Sequence, residues 1–436
     1  MKKLYMLLCL WLLVPAVAPA QPLTLDEAVR RAIDRNPGLQ ALRETTGSEQ
    51  SNVGVQKARR FGEVLLNGGL VHNSDEVLVR PMTKDLLQNG FAGLPFDDTS
   101  GYWSLVYRLP LYTGGALTEN ARAARSGMEA KKNELAAAVA AVTYQVAEAY
   151  IGLLSVQDQT HAWHTYRKAL KTLEENIRFG LENGKYARVD LLKVRYEIKN
   201  VDLKLEMLKT QEVTGTASLM ALMGESEKGS PPMELQPVPF EERAVKLPDI
   251  DTLVRKALEN RNDLKSARRQ AEAQEIKVKV ARADRYPQIN LDARLDGADG
   301  FNVGYDDQYW AVSANLSVPL LDFGRRRHAV RRALHQASAA RKRVTEVELR
   351  VRREVRSAVA NVQLAEQAVE NNRAALDLAA EVSRIEQLKY DNGRGNIDDL
   401  LRARAQYKLS EAELVKARYD LLVALKNLKK TIEGEL

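Results

Sequence analysis

The sequence predicts a mostly α-helical chain that also carries transmembrane β-strands, built from two copies of one unit. Three observations carry this reading: an internal duplication, proline-free stretches long enough for very long helices, and short segments of strict two-residue alternation.

The duplication comes in two registers. Leu25-Asp26-Glu27-Ala28-Val29-Arg30-Arg31-Ala32-Ile33 matches Ile250-Asp251-Thr252-Leu253-Val254-Arg255-Lys256-Ala257-Leu258, a spacing of 225 that holds as far as Phe61 against Tyr286. Further on the spacing is 209: Pro110-Leu111 aligns with Pro319-Leu320, Gly115 with Gly324, Asn183-Gly184 with Asn392-Gly393, and Asp190-Leu191-Leu192 with Asp399-Leu400-Leu401. The change falls in 74–101, rich in Gly, Pro, Asn and Asp, which reads as a longer loop in the first copy. Pro231, Pro232, Pro237, Pro239 and Pro248 mark an extended linker over 231–248. The first copy, 21–230, is predicted to hold a helix, a strand at 63–73, the loop 74–101, a strand at 102–112, a long helix at 115–182 and a second helix at 188–223. The second, 249–436, repeats this with a helix, a strand at 288–296, a loop at 297–308, a strand at 309–319, a long helix at 324–391 and a helix at 397–433.

No proline occurs from Leu111 to Ser230 or from Leu320 to Leu436. Proline inside a helix costs about 3 kcal/mol, so its absence over such lengths predicts helix. The apolar spacing agrees: Leu135, Val139, Val142, Val146, Ala149, Leu153 and Val156 alternate by four and three, and Val344, Val351, Val355, Ala358, Val362 and Ala365 repeat the stripe. From Gly115 to Gly184, roughly 69 residues at ~1.5 Å each make a rod of about 100 Å.

Four segments alternate with period two. They are Val64, Leu66, Gly68 and Leu70; Trp103, Leu105, Tyr107 and Leu109; Ile289, Leu291, Ala293 and Leu295; and Trp310, Val312, Ala314, Leu316 and Val318. One apolar and one polar face over ~10 residues is the pattern of a barrel strand, although a soluble sheet with one wet face shares it. Tyr102, Trp103, Tyr309 and Trp310 are placed at strand ends, as membrane-interface aromatics. Four strands cannot close a barrel, and an open edge cannot sit in lipid, so several chains must share one. Two chains give eight strands and a filled interior; three give twelve and room for a channel, which the polar inner faces favour.

Composition narrows the class. Lys2 and Lys3, the apolar run Leu4–Val14 and Ala18-Pro19-Ala20 read as a signal peptide over 1–20. Cys9, the one cysteine, lies inside that run, which leaves no thiol chemistry to the exported chain. The formal charge of +7 falls to +5 without Lys2 and Lys3, with acids and bases interleaved, so no nucleic-acid partner is implied. No later stretch of ~18 uncharged apolar residues is seen, so no helix is expected to cross a membrane. His161 and His164 stand three apart without an evident carboxylate partner, and no metal, cofactor or catalytic constellation is read from any spacing.

These residues resemble the TolC-like outer-membrane efflux family over essentially the whole mature chain. The pieces that carry the likeness are the repeated Leu-Asp-Glu-Ala-type first helix, Tyr286-Pro287-Gln288-Ile289, Pro319-Leu320-Leu321-Asp322-Phe323-Gly324, and Tyr390-Asp391-Asn392-Gly393 followed by Asp399-Leu400-Leu401. The resemblance implies a homotrimer: a twelve-stranded barrel, four strands per protomer, in the outer membrane of a Gram-negative bacterium, continued by a periplasmic α-helical barrel. It implies a passive exit duct for efflux or type I secretion, not an enzyme. Its partners would be outer-membrane lipid, a periplasmic adaptor (membrane fusion protein) and an inner-membrane efflux pump or ABC exporter. The helix-joining turns at Gly184 and Gly393, with Asp190 and Gly395, are the implied adaptor-docking tips. Asp399, with Asp398 and Arg402, is the implied pore gate. Two departures stand out. Gly62 replaces a proline before the first strand; Arg402 and Gly395 stand where the family carries an aspartate and an arginine. Arg402 is then placed to pair with Asp398 or Asp399 at helical spacing, while the three aspartates also suit plain helix capping. The competing reading is a periplasmic coiled-coil adaptor or scaffold without a membrane barrel; two hairpins and amphipathic strands weigh against it.

Overall fold

The computed structural model describes residues 22–79, 81–84, 88, 94–226, 233–239, 247–303 and 305–435, and the predicted signal peptide lies outside them. In chain order the elements are α1 (Leu25–Arg35), α2 (Pro37–Ala58), a short 3₁₀ turn (Arg59–Phe61), β1 (Glu63–Leu78), β2 (Phe96–Tyr112), α3 (Ala116–Glu182), α4 (Arg188–Met223), α5 (Ile250–Asn260), α6 (Asn262–Ala283), β3 (Gln288–Gly300), β4 (Tyr305–Ser317), α7 (Arg325–Asp391) and α8 (Ile397–Ile432). Two compact units result. One comprises Met1–Pro37, Ala141–Leu247 and Ala358–Lys430; the other comprises Gly38–Ala140, Pro248–Ser357 and Thr431–Leu436. Each therefore draws on both copies of the repeat.

The single first helix expected in each copy is two helices, broken at Asn36 and at Arg261, 225 positions apart. Both residues leave the helical region, with ψ 121° and 122°. In the first copy Pro37 is the cause: it excludes the α conformation before it and suits the first helical position, where no N–H is needed. The second copy has no proline there. Its break is fixed by an ion cluster in which Arg261, only 8% exposed, pairs with Asp263 at 2.7 Å and with Glu354. Asp263 also takes Arg350 at 3.2 Å, and Asn262 donates its N–H and side-chain amide to Glu433 at 3.0 and 2.6 Å. Burial alone would push the Asp263 carboxyl up; the Arg261 guanidinium and its companions outweigh it and hold that carboxyl below its ordinary range.

In the first unit the heptad stripe of α3 is realised as a broader buried band. Val146, Tyr150, Leu153 and Leu154 pack with Ala28 and Ala32 of α1 and with Leu219, Met220 and Met223 of α4. The Tyr150 hydroxyl shares its one proton between the carbonyls of Leu23, at 2.6 Å, and Gln236, at 2.7 Å. Leu23 and Gln236 are themselves tied by a short parallel bridge around Leu235, with Leu23 N–H donating to Glu234 at 2.8 Å. Part of the proline-rich linker is thus pinned on the helix. One window of α3 is long and apolar enough to cross a membrane by composition, and a third of it is buried. It is not the uncharged span whose absence the sequence predicts, only a more apolar one. The reason is the alanine-rich run 135–152, whose one charged residue is Glu148, flowing into side chains that pack on α1 and α4.

The second unit holds one antiparallel sheet in the order β1-β2-β3-β4. The strands are longer than the alternation indicated: β1 runs to Leu78 rather than 73, β2 starts at Phe96 rather than 102, β3 ends at Gly300 rather than 296, and β4 starts at Tyr305. The added residues, such as Asp97-Asp98-Thr99-Ser100, are polar on both faces, so no apolar period marks them. They are paired all the same, Val71 with Ser100 and Gly300 with Tyr305. Asp97, nearly fully buried, clamps the two hairpins. It accepts from the N–H groups of Thr99 (2.9 Å), Asn302 (2.7 Å) and Val303 (3.2 Å) and from the Asn302 amide (2.7 Å).

The register assembles one apolar face. Leu66 lies opposite Leu105, Leu105 opposite Leu295, and Leu295 opposite Trp310; Val64, Tyr107, Ala293 and Val312 form the next row. The other face carries a polar ladder in which Arg108 reaches Glu63 (3.5 Å) and Asp292 (3.3 Å), and Asn315 donates to Asp292 (2.7 Å). Pro110 lacks an N–H, and the β2–β3 ladder accommodates it by a bulge between Pro110 and Tyr112. Of the predicted interface aromatics, Trp103 and Trp310 lie on the apolar face, but Tyr102, opposite Ala298, and Tyr309, opposite Asp296, lie on the polar one. All four stand well inside the extended strands rather than at their ends. Gly62, the departure before β1, has φ +73°, and a Cβ there would stand 2.1 Å from the Arg108 carbonyl oxygen, so only glycine fits.

Two substitutions test this packing. Tyr150→Phe should cost about 1–2 kcal/mol by leaving the Gln236 carbonyl without the hydroxyl and the Leu23 carbonyl with only the Gln236 N–H, and should speed amide exchange over 233–239, read by mass spectrometry. Arg261→Met should cost about 3 kcal/mol by leaving Asp263 and Glu354 with only the more exposed Arg350 as their cation, seen as a lowered thermal midpoint.

Candidate functional site

The predicted tips are two helix–turn–helix junctions in the first unit. Both end their long helix with a left-handed glycine, Gly184 at φ +72° and Gly393 at φ +70°. The hydrogen bonds repeat: Gly184 N–H to Leu181 and Lys185 N–H to Gly180 in the first, Gly393 N–H to Tyr390 and Arg394 N–H to Lys389 in the second. Each closes the orphan carbonyls of the last turn. The following helices start differently. Asp190 accepts from the Ala187 N–H at 3.2 Å, half of a capping box. In the second copy the cap is Asn396, whose side-chain oxygen accepts from the N–H groups of Asp398 (2.5 Å) and Asp399 (3.4 Å). Asp398 and Asp399 are thereby relieved of the capping role that their position suggested.

The turns also exchange bulk between copies. Tyr186 lies over Gly180, where a Cβ would come within 2.2 Å of its ring. At the equivalent positions, 209 residues on, Gly395 lies against Lys389, and a Cβ on Gly395 would stand 3.0 Å from the Lys389 Cβ. Each turn has room for one side chain of the pair. Tyr186 uses its place to stack on Tyr390, with ring centroids 5.7 Å apart and planes 3° from parallel, joining one hairpin to the other. Below them Leu170, Ile177, Leu191, Val194, Ile198, Ile397, Leu400 and Leu401 form a common core.

That packing decides the charge pairs. It brings Lys193 of α4 to Asp398 of α8 at 2.6 Å, so the partner of Asp398 is a lysine of the other hairpin and not Arg402. Both side chains are more than a third exposed, and such a pair contributes about 0–1 kcal/mol. Arg402 and Asp399 are exposed. Arg402 shares an open groove with Leu192, Lys193, Tyr196 and Asp398; Asp399 does not line it.

Sequence reading missed two residues here. Tyr186 has no counterpart in the second copy, so the duplication gave it no signal. Arg404 is half-buried, donates to Gln387, and has its pKa lowered by burial. It lies in the same compartment as Tyr390, whose buried hydroxyl has no hydrogen-bond partner among the described residues and whose pKa burial pushes up.

Comparison with known proteins agrees with this architecture. The family described as outer membrane efflux protein matches residues 28–225 and 253–433, one match for each copy. Protein CyaE of Bordetella pertussis is 22% identical over 440 residues, covering 98% of this chain and 89% of that protein. Nodulation protein T of Rhizobium leguminosarum bv. trifolii is 21% identical over 405 residues, covering 90% and 82%. Among solved structures, the outer membrane protein VceC of Vibrio cholerae superposes with a TM-score of 0.77 at 18% identity, covering 94% of this chain and 96% of that one. CusC superposes with a TM-score of 0.79 at 16% identity, covering 94% and 92%. A mostly helical chain with one small, one-sidedly apolar sheet and a family match running through both copies is a member of the outer membrane efflux protein family, a channel component of outer-membrane efflux or secretion.

Proposed function

We propose that three copies of the chain complete one twelve-stranded barrel, and that its hairpin turns form a periplasmic entrance gated around Asp398, Asp399 and Arg402. The observation that carries this is the sheet itself. Its apolar face is continuous across all four strands, while β1 and β4 stand at its two edges with no further strand beyond them among the described residues. In hydrocarbon the outward N–H and C=O groups of those edges have no water to bond, and identical neighbours satisfy them by pairing β4 of one copy with β1 of the next. The polar face favours three copies over two. Arg108, Asp292, Arg294 and Tyr102 need a wet interior, and eight strands leave room only for side chains.

The duct is passive in this reading. Energy comes from an inner-membrane pump or ABC exporter, reached through a periplasmic adaptor that docks at the turns around Gly184, Asp190, Gly393 and Gly395. Opening separates the hairpins, so the contacts that join them hold the closed state: the Tyr186–Tyr390 stack and the Lys193–Asp398 pair. Exposed Asp399 and Arg402, repeated around a threefold axis, place alternating charges at the narrowing. Trp103 and Trp310 are the aromatics suited to the lipid interface.

The detergent-extracted mature protein should have the mass of three protomers by native mass spectrometry; a monomer or dimer refutes the shared barrel. In planar bilayers the Asp399→Ala, Arg402→Ala double variant should raise single-channel conductance several-fold at resting potential, and an unchanged conductance removes these residues from the gate.

A further inference from the structure

The junction between β4 and α7 departs from its duplicate in two ways. The first copy turns from strand to helix through Gly114 and Gly115, at φ +62° and +86°. The second copy, 209 residues on, uses Phe323 and Gly324, at φ +50° and +88°. A phenylalanine thus holds a left-handed backbone that side chains rarely adopt, and it is 92% exposed. Beside it Leu320 is 91% and Leu321 75% exposed. Leu316, Val318 and Leu320 carry the apolar alternation of β4 past the end of the strand, so this patch continues the apolar face of the sheet.

The second departure is charge. Arg325, Arg327, Arg331 and Arg332 are exposed in the first turns of α7 and make no ion pair among the described residues. Their equivalents in the first copy are Ala116, Thr118, Arg122 and Ala123, and the one arginine there pairs with Glu119 at 2.7 Å. The second copy puts His328 where that glutamate stands, which strands Arg331. Arginines crowded at the start of a helix also oppose its dipole. No carboxylate among the described residues pairs with them. The turn that presents them is nonetheless rigid: Asp322 accepts from the N–H groups of Gly324 (3.1 Å) and Arg326 (3.0 Å) and from the Arg326 guanidinium (2.5 Å).

We infer that this junction is a binding site for an anionic phospholipid of the periplasmic leaflet. Phe323, Leu320 and Leu321 would sit among acyl chains, and Arg325, Arg327, Arg331 and Arg332 would hold the phosphate of the head group. The occupant follows from the position. In the barrel proposed above, on which this inference rests, an apolar sheet face leaves hydrocarbon here and the chain turns toward the periplasm, at the depth where lipid phosphates lie. Apolar residues followed at once by unpaired cations match the order of tails and head groups across that boundary.

The test uses the full-length protein, purified in detergent, delipidated, and titrated with phosphatidylglycerol, phosphatidylcholine or inorganic phosphate under native mass spectrometry. The wild type should retain phosphatidylglycerol about tenfold or more over phosphatidylcholine. The R325Q/R327Q/R331Q/R332Q variant should lose that preference at unchanged oligomeric mass, and R325K/R327K/R331K/R332K should largely keep it. F323G, which copies the first repeat, should weaken retention of both lipids. Equal retention of the two lipids by the wild type, or an unchanged preference in the glutamine variant, overturns the proposal. So does displacement of phosphatidylglycerol by equimolar phosphate, which marks a site for the free ion. A fall in oligomeric mass for F323G or the glutamine variant also overturns it, by assigning the face to a neighbouring copy.

Discussion

A β-strand in hydrocarbon has nowhere to send its backbone hydrogen bonds except to another strand. Among the described residues that requirement is met between β1 and β2, β2 and β3, and β3 and β4, and nowhere beyond. The rest of the architecture follows from the two edges left over. In the proposed barrel they make the protomer an incomplete object in lipid, completed by copies of itself. The helical part obeys a milder rule. Its backbone groups are satisfied internally, and side-chain packing of the kind seen around Tyr150 and around Leu400 arranges the helices. One chain therefore combines a portion whose assembly is demanded by hydrogen bonding with a portion whose assembly is tuned by packing.

The duplication supplies both portions, and its imperfections carry much of the specificity. Where one copy breaks a helix with Pro37, the other uses the Arg261 ion cluster. Where one turn carries Tyr186 over a glycine, the other carries a glycine against Lys389. Where one strand-to-helix junction is glycine, the other is an exposed phenylalanine. Each exchange preserves the backbone path and changes what is presented. Duplicated sequence gives a common frame, and the side chains that differ at equivalent places distinguish neighbours that would otherwise be interchangeable.

Much of this was legible before any coordinates. The repeat registers located every long helix, because proline-free heptads leave few alternatives. The alternating apolar residues located all four strands and their lipid-suited face. The strand ends were not legible, because Asp97-Asp98-Thr99-Ser100 pairs through its backbone without any apolar period. The helix break at Arg261 was hidden for a related reason: without a proline, the signal is an ion cluster assembled from residues as distant as Glu354 and Glu433. At the turns, sequence placed Gly184, Gly393 and the capping Asp190 well. It offered Arg402 to either Asp398 or Asp399, since helical spacing cannot see Lys193 arriving at Asp398 from another hairpin. Local rules read local contacts; what the tertiary packing brings together escapes them.

The pairing of β2 with β3 has a consequence for how the protein is made. These two strands form the central seam of the sheet, yet the whole of α3, α4, α5 and α6 lies between them in the chain. Closing so long a loop is slow relative to local helix formation. The hairpins of helix can form as soon as they emerge, while the sheet waits for the second copy to arrive. During that interval β1 and β2 form a lone ribbon with an apolar side and a free edge, the kind of species that aggregates. Delivery to the membrane is thus a race against self-association of this half-made sheet.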